Sequence, residues 1–77
     1  MSKTLGSKRH KALIAILTEK REASGMTQTE IADKLGEYQS FVARVESGQR
    51  RVDVIEFLDL TEILGLDPKK VIAELMK

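Results

Sequence analysis

Apolar residues recur along the chain at the three- and four-residue spacing of amphipathic helices, and a glycine follows each of the first four such stretches. Because glycine takes the left-handed conformation without steric cost, each of these positions predicts a helix end. They are Gly25, Gly36, Gly48 and Gly65. The pattern predicts five helices, over residues 8–24, 28–35, 38–47, 54–64 and from 68 onwards. A short alternation at residues 52–54 has no partner strand, so we expect an all-α fold.

The second predicted helix has a well-marked start. Thr27 and Glu30 have the T-x-x-E spacing of a capping box, and Met26 and Ile31 are spaced for the hydrophobic staple that accompanies it. The Asp-Pro pair at residues 67–68 similarly predicts a capped fifth helix with proline at its first position.

The third predicted helix, residues 38–47, has two faces of different chemistry. Tyr38, Phe41, Val42 and Val45 share one side at helical spacing, which predicts a buried face. The other face carries short polar groups and one charge, whereas a merely solvated face usually carries Glu and Lys. Its members are Gln39, Ser40, Ala43, Arg44 and Ser47.

The fourth predicted helix, residues 54–64, has an apolar face of its own. Val54, Phe57, Leu58 and Leu64 follow the helical period there. The acidic side chains between them are expected on the outside. This helix is therefore predicted to pack on the others through those four residues.

The second and third helices are separated by only a short connection after Gly36. Such a connection is too short for an antiparallel pair, so the helices are expected to cross steeply, as in a helix-turn-helix. A close crossing requires a small side chain, and Ala32 lies four residues before the glycine, flanked by Ile31 and Leu35. An ordinary helical hairpin that binds nothing is the alternative.

Composition narrows the class of protein. The chain has 77 residues, of which 42% are hydrophobic and 32% charged, enough for one small domain and too little for most enzymes. The absence of cysteine excludes a disulfide framework and thiolate metal sites. No apolar run approaches the roughly 18 residues of a membrane span, and no signal-peptide pattern is present. We therefore expect a cytoplasmic protein.

Charge is distributed unevenly along the chain. Residues 1–52 carry a net charge of +4, and residues 53–77 carry a net charge of −3. A basic region of this kind attracts a polyanion. Ordinary solvated charge with an accidental asymmetry is the alternative.

The run GMTQTEIADKLGEYQSFVARVESGQRRVDVIEFLDLTEILGLDP resembles the lambda repressor-like, xenobiotic-response-element (XRE) family of helix-turn-helix domains. The resemblance extends over about residues 13–75. It implies a five-helix lambda repressor-like domain whose third helix enters the major groove of DNA. We place this domain at residues 8–77, after a flexible N-terminal arm of residues 1–7. Glu37 and Tyr38 depart from the family, which often has an apolar residue and then a capping Ser or Pro.

Gln39, Ser40 and Arg44 match the family positions that point at base edges. Arg44 can donate two hydrogen bonds to O6 and N7 of guanine, and Gln39 can pair bidentately with adenine. Ser40 can contact a base or a phosphate, and Tyr38 or Ala43 could meet a thymine methyl group. Helix-start polarity is the alternative for Gln39 and Ser40, and a surface salt bridge is the alternative for Arg44.

Phosphate contacts are expected from two places. Gln28 lies in the first turn of the second helix, where unpaired N–H groups and the helix dipole favour an anion. The loop that leaves the third helix is where the family grips the DNA backbone, and contacts there position the protein without reading sequence. The resemblance thus implies phosphate contacts from Ser47, Gln49, Arg50 and Arg51.

Arg21 and Glu46 match positions that form an ion pair in some family members, which implies a tie between the first helix and the end of the third. Two solvated charges are the alternative. His10 is the only histidine, and neither a paired nucleophile and base nor a phosphate-cradling glycine loop is present. We therefore expect no catalytic residue, no metal site and no cofactor.

Together these observations predict a transcriptional regulator, expected to be a repressor, that binds an inverted repeat in double-stranded DNA as a homodimer. The acidic C-terminal third is the expected interface, because it supplies more apolar side chains than one small core needs. They are Val71, Ile72, Leu75 and Met76. Packing of these residues within one chain is the alternative. Polymerase or a toxin would be a protein partner, and neither a membrane nor a small-molecule ligand is expected. A restriction-modification controller, an antitoxin and a protein-interaction adaptor without DNA binding are the alternative functions.

Overall fold

Five helices make up most of the computed structural model, which describes residues 5–77. They are α1 (Lys8–Ala23), α2 (Gln28–Leu35), α3 (Gln39–Glu46), α4 (Val54–Leu64) and α5 (Pro68–Leu75). The described residues contain no strand, and the all-α fold class is confirmed. None of these helices combines the length and the apolarity that crossing a membrane requires. Of the predicted N-terminal arm, residues 1–4 lie outside the described residues, and Ser7 is the N-cap of α1.

Local hydrogen bonds mark the starts of α2 and α4. The Thr27 hydroxyl accepts from the Glu30 N–H at 3.1 Å, and the Thr27 N–H donates to the Glu30 carboxylate at 2.8 Å, so the predicted capping box is confirmed. A second capping box, formed by Asp53 and Glu56, begins α4. This second box was not predicted, because its D-x-x-E spacing begins within the strand-like alternation of residues 52–54.

The turn between α2 and α3 is closed at Gly36, which has the left-handed backbone (φ 74°) predicted for it. The Glu37 N–H donates to the Ala32 carbonyl at 2.9 Å and the Gly36 N–H donates to the Asp33 carbonyl at 3.2 Å, the two bonds of a Schellman motif. The chain turns at once and α3 begins at Gln39. This short connection is that of a helix-turn-helix.

α3 is one residue shorter at each end than the predicted helix 38–47, because Tyr38 and Ser47 are its caps. The assignment of Tyr38 to the buried face was wrong, since its side chain is 84% exposed. Its extended backbone (φ −80°, ψ 154°) places it outside the helical phase of Phe41 and Val45. Tyr38 also provides no side-chain hydrogen bond to the helix start, in keeping with its departure from the family pattern.

The core lies where α1 to α4 meet. Ala32 is 1% exposed and belongs to the same buried cluster as Val42 and Val45 of α3, as the predicted close contact between α2 and α3 requires. Burial of apolar surface is the main favourable contribution to folding, at about 25 cal/mol per Å². The buried members of the cluster are Leu17, Ile31, Ala32, Phe41, Val42, Val45, Leu60 and Leu64.

The buried face of α4 matches the predicted one only in part. Val54 and Leu58 are 71% and 44% exposed, so their assignment to the buried face was wrong. Phe57 and Leu64 are buried as predicted, and Leu60 and Thr61 are buried with them. Thr61 is tolerated in the core because its hydroxyl donates to the Leu58 carbonyl at 2.9 Å. Apolar residues are so frequent in α4 that its periodicity did not single out one face.

Ala32→Leu should destabilise the domain. Three additional carbon atoms at a fully buried position must push α2 away from α3, and overpacking of this kind typically costs about 1 to 3 kcal/mol. Chemical denaturation followed by circular dichroism measures the change. Ala12→Leu, on the exposed side of α1, is the matched control and should change the free energy of unfolding by less than about 0.5 kcal/mol. An Ala32→Leu protein as stable as the wild type would show that the helices have room at this point.

Candidate nucleic-acid interface

The polar face of α3 is open to solvent. Gln39, Ser40 and Arg44 are exposed, and Ala43 between them is half-buried. Within residues 5–77 no ion pair involves Arg44, so the alternative of a surface salt bridge is not found there. Tyr38 lies exposed at the N-terminal end of the helix. α3 thus presents hydrogen-bonding groups outward while its apolar residues are in the core.

A chain of hydrogen bonds joins Gln39 to the rest of the domain. Its Nε2 donates to Gln28 Oε1 at 2.7 Å, and Gln28 Nε2 donates to Glu46 Oε1 at 2.9 Å. Glu46 also accepts from Nε and Nη2 of Arg21 at 2.7 and 3.0 Å. The chain runs from α1 to the last residue of α3 and then, through α2, to the first residue of α3. We call these four residues the polar bridge.

Arg21 and Glu46 form the ion pair of the polar bridge. Their side chains are 15% and 12% exposed. Arg21 Nη1 donates in addition to the Met26 carbonyl at 2.8 Å. The hydrogen bond with Glu46 raises the pKa of Arg21. A planar guanidinium held by a bidentate carboxylate has a defined orientation, so the pair aligns α3 with α1.

The loop after α3 carries the other predicted phosphate contacts. Ser47 is the C-cap of α3, and Gln49 and Arg51 are exposed. Arg50 is held differently, since its Nη1 and Nη2 donate to the two carboxylate oxygens of Glu56 at 2.8 and 2.9 Å. The loop is therefore attached to α4 through Arg50.

Two glutamates of the capping boxes have lowered pKa values. The hydrogen bond from Arg50 lowers the pKa of Glu56 below the ordinary value of 4.5, and the hydrogen bonds from Thr27 lower that of Glu30. A depressed pKa contributes stability that is present above the ordinary pKa and is lost as the pH falls through the lowered one. Both carboxylates are thus ionised at neutral pH.

The chemistry of this surface suits hydrogen bonding and anion binding. The capping box uses the N–H groups of Thr27 and Glu30, which leaves those of Gln28 and Thr29 at the positive end of the α2 dipole. Among residues 5–77 no group of three His, Cys, Asp or Glu side chains is placed to hold a metal ion. The surface formed by α3, the start of α2 and the loop after α3 therefore offers hydrogen-bond donors, hydrogen-bond acceptors and positive charge.

Known proteins of similar sequence and structure are helix-turn-helix proteins. The helix-turn-helix family HTH_3 matches residues 17–71. An XRE-family like protein from Pseudomonas syringae pv. tomato str. DC3000 is 44% identical with a TM-score of 0.86, over 97% of this chain and 92% of that chain. The restriction-modification controller protein C.AhdI from Aeromonas hydrophila is 32% identical with a TM-score of 0.73, over 80% and 94% of the two chains. A structure of the clp gene regulator ClgR from Corynebacterium glutamicum has a TM-score of 0.78 at 23% identity, over 91% of each chain, and shows the fold alone. A search of the curated proteins finds no match.

The fold and the exposed polar helix define a protein of the helix-turn-helix class, which comprises DNA-binding transcriptional regulators. Within that class, the chain belongs to the XRE family. The family resemblance stated from the sequence is therefore confirmed.

Two contacts of the site were not predicted from the sequence. Gln28 and Gln39 open two successive helices, and only the approach of α2 to α3 shows that their amides meet. Arg50 and Glu56 are six residues apart across a loop and a helix start, a separation that no helical spacing rule covers. The bidentate pairing of Arg50 is a contact that its position in the loop after α3 did not suggest.

Arg21→Met should lower the free energy of unfolding by up to about 3 kcal/mol, because it leaves a largely buried carboxylate without its partner. Urea denaturation at pH 7 measures the loss. Glu74→Gln, which removes the exposed pair with Lys77, is the control and should cost less than about 1 kcal/mol. The double variant Arg21→Met/Glu46→Met should recover part of the loss. Equal costs for Arg21→Met and Glu74→Gln would contradict a structural role of the polar bridge.

Proposed function

We propose that the protein is a sequence-specific transcriptional repressor that binds its operator with α3 in the major groove. The observation that carries this proposal is that α3 exposes polar side chains while the polar bridge holds both of its ends. A hydrogen bond to a base edge discriminates between bases only when the donor has a defined position. A braced helix with outward polar groups meets that requirement.

At the start of α3, Gln39 is proposed to contact a base and Gln28 a phosphate. One N–H of the Gln39 amide is used by Gln28, and its second N–H and its oxygen remain for an adenine. Gln28 uses its oxygen and one N–H within the polar bridge, so its second N–H can reach a phosphate. The hydrogen bond between the amides supports this division, because it sets the orientation of Gln39 before DNA arrives.

Arg44 is the residue proposed to read guanine. It is exposed on α3 and can donate two parallel hydrogen bonds to O6 and N7. Ser40 lies one turn earlier and is proposed to contact a base or a phosphate. Tyr38 and Ala43 are proposed to meet thymine methyl groups, and the 84% exposure of Tyr38 makes its ring accessible for such a contact.

Phosphate contacts are proposed on either side of α3. Gln28 lies before it, at the positive end of α2, and Ser47, Gln49 and Arg51 lie after it. These contacts would fix the register of the protein on the duplex. Arg50 is left out of this set because both terminal nitrogens of its guanidinium already pair with the Glu56 carboxylate.

We propose that the protein forms a homodimer through α4 and α5. Val71, one of the expected interface residues, is buried within one chain, whereas Ile72 and Met76 are 47% and 69% exposed. α4 adds exposed Val54 and Leu58, which line one apolar groove together with Ile72. Exposed apolar side chains gathered in one surface mark an interaction site, and a second copy of the same surface supplies a matching occupant.

A restriction-modification controller is the second candidate function. The 32% identity to C.AhdI over 80% of this chain favours it. It differs from a general repressor in the genes controlled, and it requires the same DNA-reading helix. The genomic position of the operator would distinguish the two, because a controller is expected to bind beside modification and restriction genes.

Selection from a library of random duplexes should enrich a defined DNA sequence containing a guanine that depends on Arg44. Arg44→Ala should weaken binding to the selected duplex by about 5- to 150-fold, which corresponds to about 1 to 3 kcal/mol, and relax the preference at one base pair. Fluorescence anisotropy on the selected duplex and its single-base variants measures both effects.

Lys69→Ala, which removes an exposed positive charge from α5, is the control and should leave the preference unchanged. If Arg44→Ala weakened binding to every duplex equally, Arg44 would be a phosphate contact. Absence of any enriched sequence would favour the protein-interaction adaptor over the repressor.

Leu58→Glu should convert the dimer into monomers, because it places a charge in the apolar groove. Sedimentation equilibrium of the wild type should show twice the chain mass of 8.6 kDa, and the selected site should contain two half-sites about one helical turn apart. Glu62→Gln, elsewhere on α4, should remain dimeric. A monomeric wild type, or a dimeric Leu58→Glu variant, would remove this surface from the proposal.

A further inference from the structure

Arg50 occupies a position between two helices. Its guanidinium donates to both carboxylate oxygens of Glu56 in α4, at 2.8 and 2.9 Å, and its central carbon lies 4.4 Å from the centre of the Phe41 ring in α3. Nη1 also donates to the Arg51 carbonyl at 2.8 Å. A cation over an aromatic face is attracted to it, and a bidentate carboxylate fixes the plane of the fork.

Glu56 is itself anchored to the start of α4. Its Oε1 accepts from the Asp53 N–H at 3.0 Å, and its own N–H donates to Asp53 Oδ1 at 2.7 Å. α4 carries Leu60 and Leu64 into the core. Glu56 thus ties Arg50 to a helix that is packed on the core. The contact of Arg50 with Phe41 connects that helix to α3.

Phe41 lies on the core side of α3, between residues that contact DNA in the proposed function. It directly follows Ser40 and is three residues before Arg44, and its own side chain is buried. Because all three residues belong to one short helix, a displacement of α3 at Phe41 would move both of these neighbours. The polar bridge holds the amide of Gln39 and the carboxylate of Glu46, whereas Arg50 packs on a ring between those two positions.

We propose that Arg50 is a positioning residue: by joining Glu56 to Phe41 it sets the placement of the base-reading helix on the scaffold, and it does not bind a DNA phosphate. This inference rests on the proposed DNA-binding function. Glu56 and the Arg51 carbonyl already use three of the five guanidinium N–H groups. A phosphate would have to share the cation with the carboxylate that pairs with both of its terminal nitrogens. The nearby Gln49 and Arg51 then account for the backbone contacts of the loop.

The test separates the charge of Arg50 from its attachment. Glu56→Gln keeps the cation but weakens the pair, and its amide oxygen can still accept from the Asp53 N–H. Arg50→Gln removes the cation, and Arg50→Lys keeps the charge without the planar fork. Binding to the selected duplex and to a scrambled duplex of the same composition is measured from low to high salt, with Lys69→Gln as the control for loss of one exposed charge.

A positioning role predicts that Glu56→Gln, Arg50→Gln and Arg50→Lys all lower the ratio of selected to scrambled affinity, by about tenfold for Arg50→Gln, equivalent to about 1.4 kcal/mol. The salt slope on the scrambled duplex should not change. The double variant Arg50→Gln/Glu56→Gln should be no worse than Arg50→Gln alone, because both changes break one pair. Lys69→Gln should keep the wild-type ratio.

Two results would overturn the assignment. One is a Glu56→Gln variant whose ratio of selected to scrambled affinity equals that of the wild type, since the pair of Arg50 with Glu56 would then be irrelevant to base reading. The other is a salt slope smaller by about 0.9 in Arg50→Gln, the value expected for one lost phosphate contact. If Glu56→Gln does not fold, Arg50→Lys gives the same decision on the affinity ratio.

Failure of the proposed function has a different signature. A wild-type protein that shows no preference between duplexes would refute sequence-specific binding. Amide hydrogen exchange of the free protein still tests the attachment: Glu56→Gln should accelerate exchange in α3 more than in α5. Equal exchange rates for the α3 amides in the wild type and in Glu56→Gln would show that Arg50 does not hold that helix.

Discussion

The close packing of α2 against α3 at Ala32 is the constraint on which the rest of the structure depends. Ala32 is buried, and its carbonyl accepts the N–H of Glu37 that closes the turn. The same short approach lets the amides of Gln28 and Gln39 meet at 2.7 Å. One small side chain therefore determines both the apolar contact and the polar contact between these helices.

α3 contains only eight residues, and a helix of that length is not stable in isolation. Its order comes from tertiary attachments. Arg21 holds Glu46 from α1, and Arg50 joins Phe41 to Glu56 of α4. A partly buried ion pair contributes little net stability compared with an apolar contact of equal size, but it specifies orientation. A fixed orientation of α3 is what the proposed contacts with base edges require.

The two exposed surfaces of the domain have different chemistry, which suits two different contacts. The outer face of α3 and the loop after it are polar and cationic, whereas α4 and α5 expose Val54, Leu58 and Ile72. Small domains of this size bury limited apolar surface and are only marginally stable alone. Association through the apolar surface would therefore add stability as well as bring two reading helices together.

Local sequence was sufficient for the five helices and for the caps of α2 and α5, because each depends on residues within one or two turns. The Thr27 capping box, the left-handed Gly36 and the span of α4 followed from such patterns, whereas the Asp53 capping box and the capping position of Tyr38 did not. The residue pattern of α3 predicted its outward polar face, and the family resemblance added the DNA contacts expected of that face. The inner face of α4 and the true position of Tyr38 required the assembled fold, since in an apolar-rich helix or at a cap the neighbouring elements select which side is buried. The partners of Gln39 and Arg50 also required it, because a hydrogen bond between distant residues exists only once packing has brought their atoms within about 3 Å.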